Sequence, residues 1–487
     1  MTEPETTTLL AERRQKLDRL REAGVDPFPH NFADRKEIGT VLAAHEGLEA
    51  GAETDSVHRV AGRIVGRRGH GKAAFVDLRD ASGQIQLHVK ADVLGDGFAL
   101  LDDLDLGDII GVEGRAVVTR RGQLSIEASD WQVLAKSLRP PPDKFHGLED
   151  TETRYRRREL DLIANEGSRE IFRIRARTVA ETRRWLDEHG FFEVETPVLQ
   201  PLYGGALARP FTTHHNALDR KLYLRVATEL YLKRCVVGGI DKVYELGKDF
   251  RNEGISMKHN PEFTMLEWYE AYADYEKTAA DLEKLVSEVA STVLGTVEIE
   301  RDGGTIDLSP PWRRIALRDA ILEASGIDIE VEKTREQLAA AMGAELDDTV
   351  GWGKLVDTLF SKRVEPSLIE PTFILDYPVE LSPFAKAHRS KEAVVERWEA
   401  FLGGVEIANS FTELNDPDEQ RRRFEQQAEE LDRGDEEAQP YDEAFIEALE
   451  QGMPPTGGVG LGIDRLVMML TGTSSLREVV LFPAMRD

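Results

Sequence analysis

The residue types best suited to chemistry are concentrated in one stretch near the middle of the chain. Arg251 and Glu253 follow the strand-like run 242–247, and after a short polar turn a second such run brings Phe263 and Glu267. Two strands joined in this way place alternate side chains on one face. On such a face an arginine can bind a phosphate with two hydrogen bonds, a phenylalanine can stack on a purine, and a carboxylate can bind an ammonium group. The combination suits an enzyme that activates an amino acid with ATP.

The region that must position these residues mixes helical and strand-like patterns. Helical periodicity covers 168–189, 276–294, 315–325, 334–342, 353–361, 418–432 and 442–451. Strand-like runs occupy 222–226, 242–248, 261–270, 372–376 and 402–411. This mixture predicts an α+β domain with a largely antiparallel sheet. The run 457–462 is predicted to form a glycine-rich turn, after which a helix begins near Arg465.

The N-terminal third of the chain has a different period. Residues 5–23 show a helical pattern, and between about 57 and 135 several short runs alternate apolar with polar residues. About five short strands in so short a segment predict a small barrel of the oligonucleotide-binding (OB) type. Three consecutive prolines, 140–142, predict a stiff linker. The predicted divisions are a helical extension (1–56), the barrel (57–136), the linker (137–152) and a catalytic domain (153–487).

Composition limits the class of protein. The 487 residues are too many for one hydrophobic core, and 41% hydrophobic with 31% charged residues is typical of a soluble globular protein. The single cysteine, Cys235, excludes an internal disulfide and a cysteine-rich zinc site. Because no apolar run is long enough to span a bilayer and no export signal is visible, we expect a cytoplasmic protein without a membrane partner.

The distribution of charge is uneven. The formal net charge of −28 argues against a nucleic-acid partner when the chain is taken as a whole. Residues 57–90, however, carry seven Lys or Arg against two Asp or Glu, whereas residues 413–450 carry four against fifteen. A polyanion can bind the first segment and avoid the second, so the sequence permits RNA binding by the predicted barrel.

The familiar nucleotide-binding loops are missing from the sequence. There is no GxxxxGK[ST] phosphate loop, no glycine-rich dinucleotide fingerprint and no nucleophile elbow. A protein of this sequence that uses ATP must therefore bind it on the surface of a sheet.

Three segments resemble, in the same order along the chain, the three motifs of class II aminoacyl-tRNA synthetases. They are 195–197, 250–253 and 460–466. Further segments narrow the resemblance to the lysyl-tRNA synthetases: 204–211, 214–218, 251–275, 378–383, 409–416 and 481–483. The likeness runs from about residue 57 to the C-terminus, and the ordered set is far more specific than any one motif. It implies an OB-type anticodon-binding barrel followed by a class II catalytic domain.

The resemblance implies a two-step reaction with ATP as substrate and Mg²⁺ as cofactor. L-lysine is activated to lysyl-adenylate, and the lysyl group is then transferred to the 3′ end of tRNA(Lys). Arg251 is expected to bridge the lysine carboxylate and the α-phosphate, and Arg465 to bind the γ-phosphate. The implied ATP-binding set is Arg251, Glu253, His259, Asn260, Phe263, Glu406 and Arg465, with Phe263 under the adenine. The implied magnesium ligands are Glu399 and Glu406.

The resemblance also implies a lysine-binding set whose composition can be checked physically. Its members are Gly205, Glu229, Arg251, Glu267, Tyr269, Asn409, Phe411, Glu413 and Gly462. A buried ammonium group needs carboxylates, whereas a pocket for aspartate needs arginine or lysine. The residues expected around the substrate side chain are the members of this set other than Arg251 and Gly462. They include three glutamates and two aromatic residues and no cation, which suits lysine and disfavours the aspartyl and asparaginyl relatives.

Binding of tRNA is expected on the barrel. The resemblance places Arg68, Phe75 and Gln86 where the family binds the anticodon, by stacking and by hydrogen bonds to base edges. It also implies a homodimer. Two alternatives remain: a lysine-activating paralogue that modifies a protein acceptor, and a catalytically inactive RNA-binding relative. The barrel disfavours the first, and the presence of Arg251, Glu253, Glu406 and Arg465 disfavours the second.

Overall fold

The computed structural model describes all residues except 1–2, 143–147, 302, 344–350, 383, 434–437 and 487. Part of the predicted linker, 143–147, therefore lies outside the described residues. The chain divides into two compact units, Met1–Asn165 and Glu166–Asp487. Within the described part of the chain, no helix is both long and apolar enough to cross a membrane.

The first unit contains a closed five-stranded barrel with strand order β1-β2-β3-β5-β4, as predicted. Its strands are β1 (Glu53–His70), β2 (Ala73–Arg79), β3 (Gln84–Lys90), β4 (Ile109–Val118) and β5 (Leu124–Ala135). Its helices are α1 (Glu3–Glu22), α2 (Ile38–Ala44), α3 (Ala91–Leu94), α4 (Asp96–Ala99), α5 (Thr151–Arg156) and α6 (Arg158–Ala164). Alternate residues of β2 and β3 are buried, among them Val76 and Leu87, so one face of each strand fills the barrel core.

The second unit is built on an eight-stranded sheet. The helices of this unit are α7 (Glu166–Glu188), α8 (Glu229–Val237), α9 (Tyr275–Leu294), α10 (Leu317–Ser325), α11 (Arg335–Met342), α12 (Trp352–Arg363), α13 (Pro417–Asp432), α14 (Glu443–Glu450), α15 (Ile463–Leu470) and α16 (Leu476–Val479). Its strands are β6 (Phe192–Glu193), β7 (Leu199–Gln200), β8 (Thr212–His215), β9 (Arg220–Leu224), β10 (Lys242–Phe250), β11 (Glu262–Ala271), β12 (Glu298–Arg301), β13 (Gly304–Asp307), β14 (Arg313–Ala316), β15 (Thr372–Pro378), β16 (Val394–Leu402), β17 (Val405–Thr412) and β18 (Thr456–Gly462).

The order in the large sheet is β14-β15-β16-β17-β18-β11-β10-β6. Within this sheet, only the outer pairs β14–β15 and β10–β6 are parallel among the described strands, which confirms the largely antiparallel prediction. One face packs on α7, α9 and α15, where Leu266 and Trp268 join the main hydrophobic core. Because side chains alternate along a strand, Glu267 and Tyr269 of the same strand point to the other face.

Helix α9 shows how local sequence defines this packing. It begins after Asp274, whose carboxylate accepts hydrogen bonds from the backbone N–H groups of Glu276 and Lys277, and it ends before Gly295 at φ +79°. Leu282 and Val286 lie on its buried face and join the main core. The helix therefore covers one face of the sheet and leaves the other open to a ligand.

Two predictions of secondary structure were wrong. The run 457–462 is not a turn but belongs to β18, in the interior of the large sheet. The run 402–411 is not one strand. It spans the turn between β16 and β17, with Gly403 at φ +59° and Gly404 at φ +70°, and β16 itself was not predicted. Both glycines adopt the left-handed backbone conformation that favours glycine in two-residue hairpins.

Candidate active site

The open face of the large sheet holds a cavity of about 360 Å³. All the site residues that were predicted in the catalytic domain line this cavity. They are Gly205, Glu229, Arg251, Glu253, His259, Asn260, Phe263, Glu267, Tyr269, Glu399, Glu406, Asn409, Phe411, Glu413, Gly462 and Arg465. The structure therefore brings together side chains that are up to 260 residues apart in the sequence. We call the part with Arg251, His259 and Arg465 the cationic end, and the part with Glu229, Glu267 and Glu413 the acidic end.

The hairpin of β10 and β11 connects the two ends. Asp249 lies opposite Phe263 and Glu245 opposite Glu267, so these four side chains share one face. Arg251 lies directly after β10 rather than within it, and its N–H donates to the carbonyl of Pro261 at 2.9 Å, which closes the loop. The Arg251 guanidinium lies 5.1 Å from the centre of the Phe263 ring.

A buried arginine that sequence reasoning missed supports this hairpin. The Arg225 guanidinium lies beside Gly247 and forms ion pairs with Glu245 at 2.5 Å and with Asp249 at 3.1 Å. A side chain at position 247 would displace the guanidinium. Burial raises the pKa of Asp249 to about 6 against the opposing effect of Arg225. The only sequence signal was the glycine inside a strand, which often marks close approach of another group.

Glycines of β18 form part of the cavity wall. Gly458, Gly460 and Gly462 line the cavity at alternate positions and pair with Tyr269, Glu267 and Met265 of β11 respectively. A β-carbon at Gly458 would collide with Glu413 and the Tyr269 ring, so no larger residue fits there without rearrangement. Glycine at every second position keeps this interior strand from filling the cavity.

At the cationic end, Arg465 lies in the first turn of α15. Its Nη1 donates to the Glu406 carbonyl at 2.7 Å and to Glu406 Oε2 at 3.0 Å, and its Nη2 is 3.4 Å from His259 Nε2. Burial, with help from the Arg465 charge, lowers the pKa of His259, so the ring is held neutral. Lys258 also lines the cavity, a cation that sequence reasoning missed; its Nζ is 3.0 Å from Glu365.

The other predicted polar residues of the cationic end lie on the loop between β10 and β11. Glu253 is exposed to solvent, and His259 Nδ1 is 2.9 Å from Ser256 Oγ. Asn260 Oδ1 accepts a hydrogen bond from the N–H of Ala484 at 3.2 Å. The loop is therefore ordered both from within and by the C-terminal segment, and its polar side chains remain open to the cavity.

The acidic end is built from carboxylates that are nearly inaccessible to solvent. Burial raises the pKa of Glu267 to about 8, and the Asp249 and Glu229 carboxylates add to the rise. The Thr228 N–H donates to Glu267 Oε1 at 3.3 Å, and the Tyr269 hydroxyl donates to Oε2 at 3.4 Å. These are few donors for a buried carboxylate, so the site favours an additional cation.

Gly205 and Lys233 complete the acidic end. Gly205 adopts φ +89°, and its ideal β-carbon would lie 3.0 Å from Cβ of Glu229, so glycine is required for both space and conformation. Lys233 lies one helical turn after Glu229 on α8 and forms ion pairs with Glu229 at 2.6 Å and Glu413 at 2.5 Å. Sequence reasoning missed Lys233, because a Glu–Lys pair at i and i+4 usually lies on an exposed helix surface.

The residues predicted on the barrel lie on its outer face in the first unit. Arg68 of β1 pairs with Phe75 of β2, and the Phe75 ring stacks on His88 of β3 with centroids 4.8 Å apart. Gln86 Oε1 accepts a hydrogen bond from Ser125 Oγ at 3.2 Å. Sequence reasoning missed His88, although its alternation with the buried Leu87 in β3 was a usable signal. The outer face thus combines a cation with two stacked rings.

Comparison with known proteins places this geometry in a family. Residues 150–486 match the family model of class II tRNA synthetases (D, K and N), and residues 58–134 match the model of the OB-fold nucleic acid binding domain. A lysine–tRNA ligase of Carboxydothermus hydrogenoformans is 49% identical over 490 residues, covering 100% of this chain and 99% of the relative. That of Bacillus subtilis is 49% identical over 484 residues, covering 98% and 97%. The chain belongs to the lysine–tRNA ligase family.

Membership of the lysine–tRNA ligase family confirms the resemblance that the ordered motifs carry. A relative from Synechococcus sp., also a lysine–tRNA ligase, is 52% identical over 481 residues, with 97% of this chain and 98% of the relative covered. The matched regions correspond to the two folds of the structure, the closed barrel and the eight-stranded sheet. The class II fold and the OB-type barrel are therefore confirmed.

A further cation of this lysine–tRNA ligase family member, Arg397, lines the cavity. Arg397 of β16 donates to Asn409 Oδ1 at 3.1 Å and to Glu399 Oε1 at 2.5 Å, and its guanidinium lies 4.5 Å from the centre of the Tyr377 ring. The residues named from the sequence around the lysine side chain include no cation, but Arg397 lines the same cavity. It was missed because β16 itself was missed.

Glu399 and Glu406 lie on neighbouring strands and both line the cavity. Burial raises the pKa of Glu399 to about 7, with a contribution from the Glu406 charge. The Tyr377 hydroxyl donates to Glu399 Oε2 at 2.8 Å, and Arg465 contacts Glu406. Among the described residues, no group of three or more metal-binding side chains is present. Two carboxylates fit Mg²⁺ when phosphate oxygens and water supply its other ligands.

Proposed function

We propose that this protein attaches L-lysine to tRNA(Lys) in two steps. A carboxylate oxygen of lysine attacks the α-phosphorus of ATP, the bond to pyrophosphate breaks, and lysyl-adenylate forms. A ribose hydroxyl at the 3′ end of the tRNA then attacks the activated carbonyl carbon, and AMP leaves. The observation that supports this most directly is a single cavity with arginines at one end and buried glutamates at the other.

The first step brings together two anions, so it requires positive charge at the reacting atoms. Arg251 is assigned to bridge the lysine carboxylate and the α-phosphate, because it lies at the end of β10 on the open face of the sheet. Arg465 is assigned to the γ-phosphate. Its guanidinium lies in the first turn of α15, where the helix N-terminus also favours an anion. No protein nucleophile is needed, because the attacking oxygens belong to the substrates.

The remaining ATP contacts are assigned to residues at the cationic end. Phe263 provides a ring under the adenine, and its contact with the Arg251 guanidinium supports a stacked arrangement of ring and cation. Glu253, His259 and Asn260 supply polar contacts to the base and phosphates. A neutral His259 can donate one hydrogen bond and accept another, which suits this role better than a second positive charge beside Arg465.

The acidic end is assigned to the lysine side chain. Glu229, Glu267 and Glu413 surround the ammonium group, and Tyr269 and Phe411 border the site. The full set assigned to lysine is Gly205, Glu229, Arg251, Glu267, Tyr269, Asn409, Phe411, Glu413 and Gly462. The raised pKa of Glu267 supports the assignment, since a buried carboxylate with few donors gains most from a bound cation.

Mg²⁺ is assigned to Glu399 and Glu406. When bound, the ion neutralises phosphate charge and orients the pyrophosphate leaving group. The protein's own part is to hold the two carboxylates, through Tyr377 and Arg397 for Glu399 and through Arg465 for Glu406. These contacts fix the orientation of both carboxylates and leave acceptor capacity on their oxygens.

The barrel is assigned to the anticodon of tRNA(Lys). Arg68, Phe75 and Gln86 offer a cation, a ring and an amide on the outer face of three adjacent strands, a combination that suits single-stranded RNA. We divide the chain into an extension (1–56), the anticodon-binding barrel (57–136), a linker (137–152) and the catalytic domain (153–487). We assign the protein to the cytoplasm, where its three substrates occur together.

A homodimer is part of the proposal. Strand β6 forms an edge of the large sheet, and Phe192 on this strand is 62% exposed. Leu199 of β7 is also exposed, at 50%. An exposed apolar edge of this kind is suited to pairing with a second copy. Light scattering at micromolar concentration should give twice the mass of 54.6 kDa, and a monomer would overturn the dimer.

The decisive test of function is lysine-dependent exchange between pyrophosphate and ATP. We expect exchange with lysine and without tRNA, followed by transfer of lysine to tRNA(Lys) when the tRNA is added. Exchange without transfer to tRNA, but with transfer to a protein, would identify a paralogue that modifies proteins. Binding of tRNA without any exchange would identify an inactive relative.

A further inference from the structure

The strongest feature that the proposed reaction does not use is the ammonium group of Lys233. The Lys233 side chain on α8 is fully buried, and its Nζ forms ion pairs with Glu229 Oε1 at 2.6 Å and Glu413 Oε2 at 2.5 Å. The Phe384 ring centre lies 5.5 Å from the same nitrogen. Glu229, Glu413 and Phe384 line the cavity, but Lys233 is not among the described residues that do so. An internal ammonium thus lies behind the wall of the acidic end.

The charges explain why an internal cation is needed there. Glu229, Glu267 and Glu413 are three carboxylates in one buried region, and like charges at close range favour protonation of at least one of them. A protonated carboxylate has lost the charge that attracts an ammonium. Lys233 supplies one positive charge, so that the three carboxylates together with a bound lysine side chain leave a single net negative charge.

The contacts also leave room for a second ammonium. Lys233 binds one oxygen of Glu229 and one oxygen of Glu413. The other oxygen of Glu413, Oε1, is buried and has no hydrogen-bond partner among the described residues. It lies beside the α-carbon of Gly458, on the cavity wall. A buried carboxylate oxygen without a donor is costly, and a donor from a ligand removes that cost.

We propose that Lys233 is a positioning residue for substrate recognition. It favours the ionised forms of Glu229 and Glu413 and orients them so that their remaining oxygens bind the side-chain ammonium of lysine. This inference rests on the proposed function, because it concerns the same cavity. Lys233 touches no reacting atom. It acts through the two carboxylates, and its effect is on lysine affinity rather than on the chemical step.

The titration of the site distinguishes this role from a structural ion pair. The ionisable groups facing Lys233 and its two partners are Glu229 on α8, Glu413 after β17, and Glu267 and Tyr269 on β11. Burial raises the pKa of Glu413, and Lys233 opposes that rise. Burial disfavours the Lys233 ammonium, but the two carboxylates outweigh burial and raise its pKa. Without Lys233 the carboxylates should stay protonated to higher pH.

The test is Lys233→Met in the full chain, assayed by pyrophosphate exchange between pH 6.5 and 9. Since only ionised carboxylates attract the substrate ammonium, we expect the lysine KM to rise about 100-fold at pH 7 and much less at pH 9. The ATP KM and kcat at saturating lysine should change by less than about threefold. Lys284→Met, which removes an exposed charge from α9, is the matched control and should behave like the unchanged protein.

One charge-conserving variant and one neutral replacement complete the test. Lys233→Arg should restore the lysine KM at pH 7 in part, because the charge is kept. A lysine KM that is unchanged in Lys233→Met, or that rises equally at every pH, would overturn the proposal. If Lys233→Met does not fold, Lys233→Gln takes its place, and if no neutral variant folds the residue is structural and the proposal is overturned. Absence of lysine-dependent exchange in the unchanged protein would instead overturn the proposed function.

Discussion

The two ends of the cavity carry opposite charges and hold them in different ways. At the cationic end, the Arg465 side chain is 22% exposed and contacts Glu406, which is 37% exposed. At the acidic end, Glu229 is 6% exposed and Glu413 is 0% exposed. An arginine stays charged at any accessible pH, so the cationic end can remain near solvent and still attract phosphate. The carboxylates, in contrast, lie where ionisation is difficult.

Burial of the acidic end favours specificity over simple attraction. A buried carboxylate that meets a neutral side chain is left without a partner, which costs free energy and rejects the wrong substrate. The same burial raises the pKa of Glu267 to about 8, so the site is only partly ionised when empty. At the cationic end, an arginine keeps its charge over the same pH range. We therefore expect the affinity for lysine to depend more strongly on pH than the affinity for ATP.

The largest expected effect is the loss of exchange rate when an arginine of the cationic end is removed. Arg251→Ala should lower kcat of lysine-dependent pyrophosphate exchange by about 100- to 1000-fold, because a charged donor to the transition state is lost. Arg251→Lys keeps the charge without the planar fork and should recover only part of the rate. Exchange at the normal rate in Arg251→Ala would refute the role of this residue.

A substitution at the acidic end should affect the lysine KM rather than kcat. Glu267→Gln removes one buried charge, so the lysine KM should rise on the order of 100-fold while the ATP KM stays the same. Glu262→Gln, an exposed substitution on the same strand, is the matched control. Kinetics with each substrate varied in turn will separate the two constants, and an equal rise in both would contradict the division of the cavity into two ends.

Local sequence was sufficient to predict the hairpin that carries both ends. Alternation along 261–270 placed Phe263 and Glu267 on one face, and the register of β10 and β11 confirms it. The barrel strands followed from the same period of two. In each case the pattern depended on neighbours within ten residues, and a half-buried strand shows such a pattern clearly.

Other parts of the site depended on contacts that a sequence does not display. The glycines of 457–462 resembled a turn because glycine usually marks turns, whereas here they keep an interior strand clear of side chains. Strand β16 was missed because Glu396, Arg397 and Glu399 give it the charge of a surface segment. The burial of Lys233 depends on Glu413, 180 residues away. Long-range pairing, rather than local propensity, determined these features.

Substitution of Phe263, the aromatic residue at the cationic end, should have a moderate effect on the ATP KM. Phe263→Ala removes the ring proposed to stack on adenine, and the ATP KM should rise about 10-fold, as expected for loss of one stacked base. Phe263→Tyr keeps the ring and should keep the ATP KM. A change in the lysine KM without a change in the ATP KM would place Phe263 at the wrong end of the cavity.

The barrel provides a variant that should affect neither end. Phe75→Ala removes a ring that stacks on His88, and transfer of lysine to tRNA should weaken by about 10-fold. Pyrophosphate exchange without tRNA should keep its rate and both KM values. Phe75→Tyr is the matched control. Equal losses in exchange and in transfer would show that the barrel substitution disturbs the catalytic domain.

The smallest expected effect is on the stability of the protein without substrates. Its dependence on pH provides a further comparison of the two ends. The folded-state pKa of Glu267 is about 8, above the ordinary value of 4.5, so the folded protein binds more protons than the unfolded chain between these values. The contribution of Glu267 to the free energy of unfolding therefore falls as pH rises from about 5 to 8. Because glutamine does not titrate, Glu267→Gln should not show this decrease in the free energy of unfolding.

Calorimetry of the protein without ligands can measure this difference. At pH 8 Glu267→Gln should raise Tm by about 2–4 °C relative to the unchanged protein, and at pH 5 the difference should nearly vanish. Glu253→Gln, which removes a solvent-exposed carboxylate at the cationic end, is the matched control. A Glu267→Gln variant that is less stable than the unchanged protein at pH 8 would mean that the carboxylate stabilises the empty fold. In that case the ionised Glu267 carboxylate would not reduce the stability of the protein without ligands, contrary to the proposal that it lacks a cationic partner there.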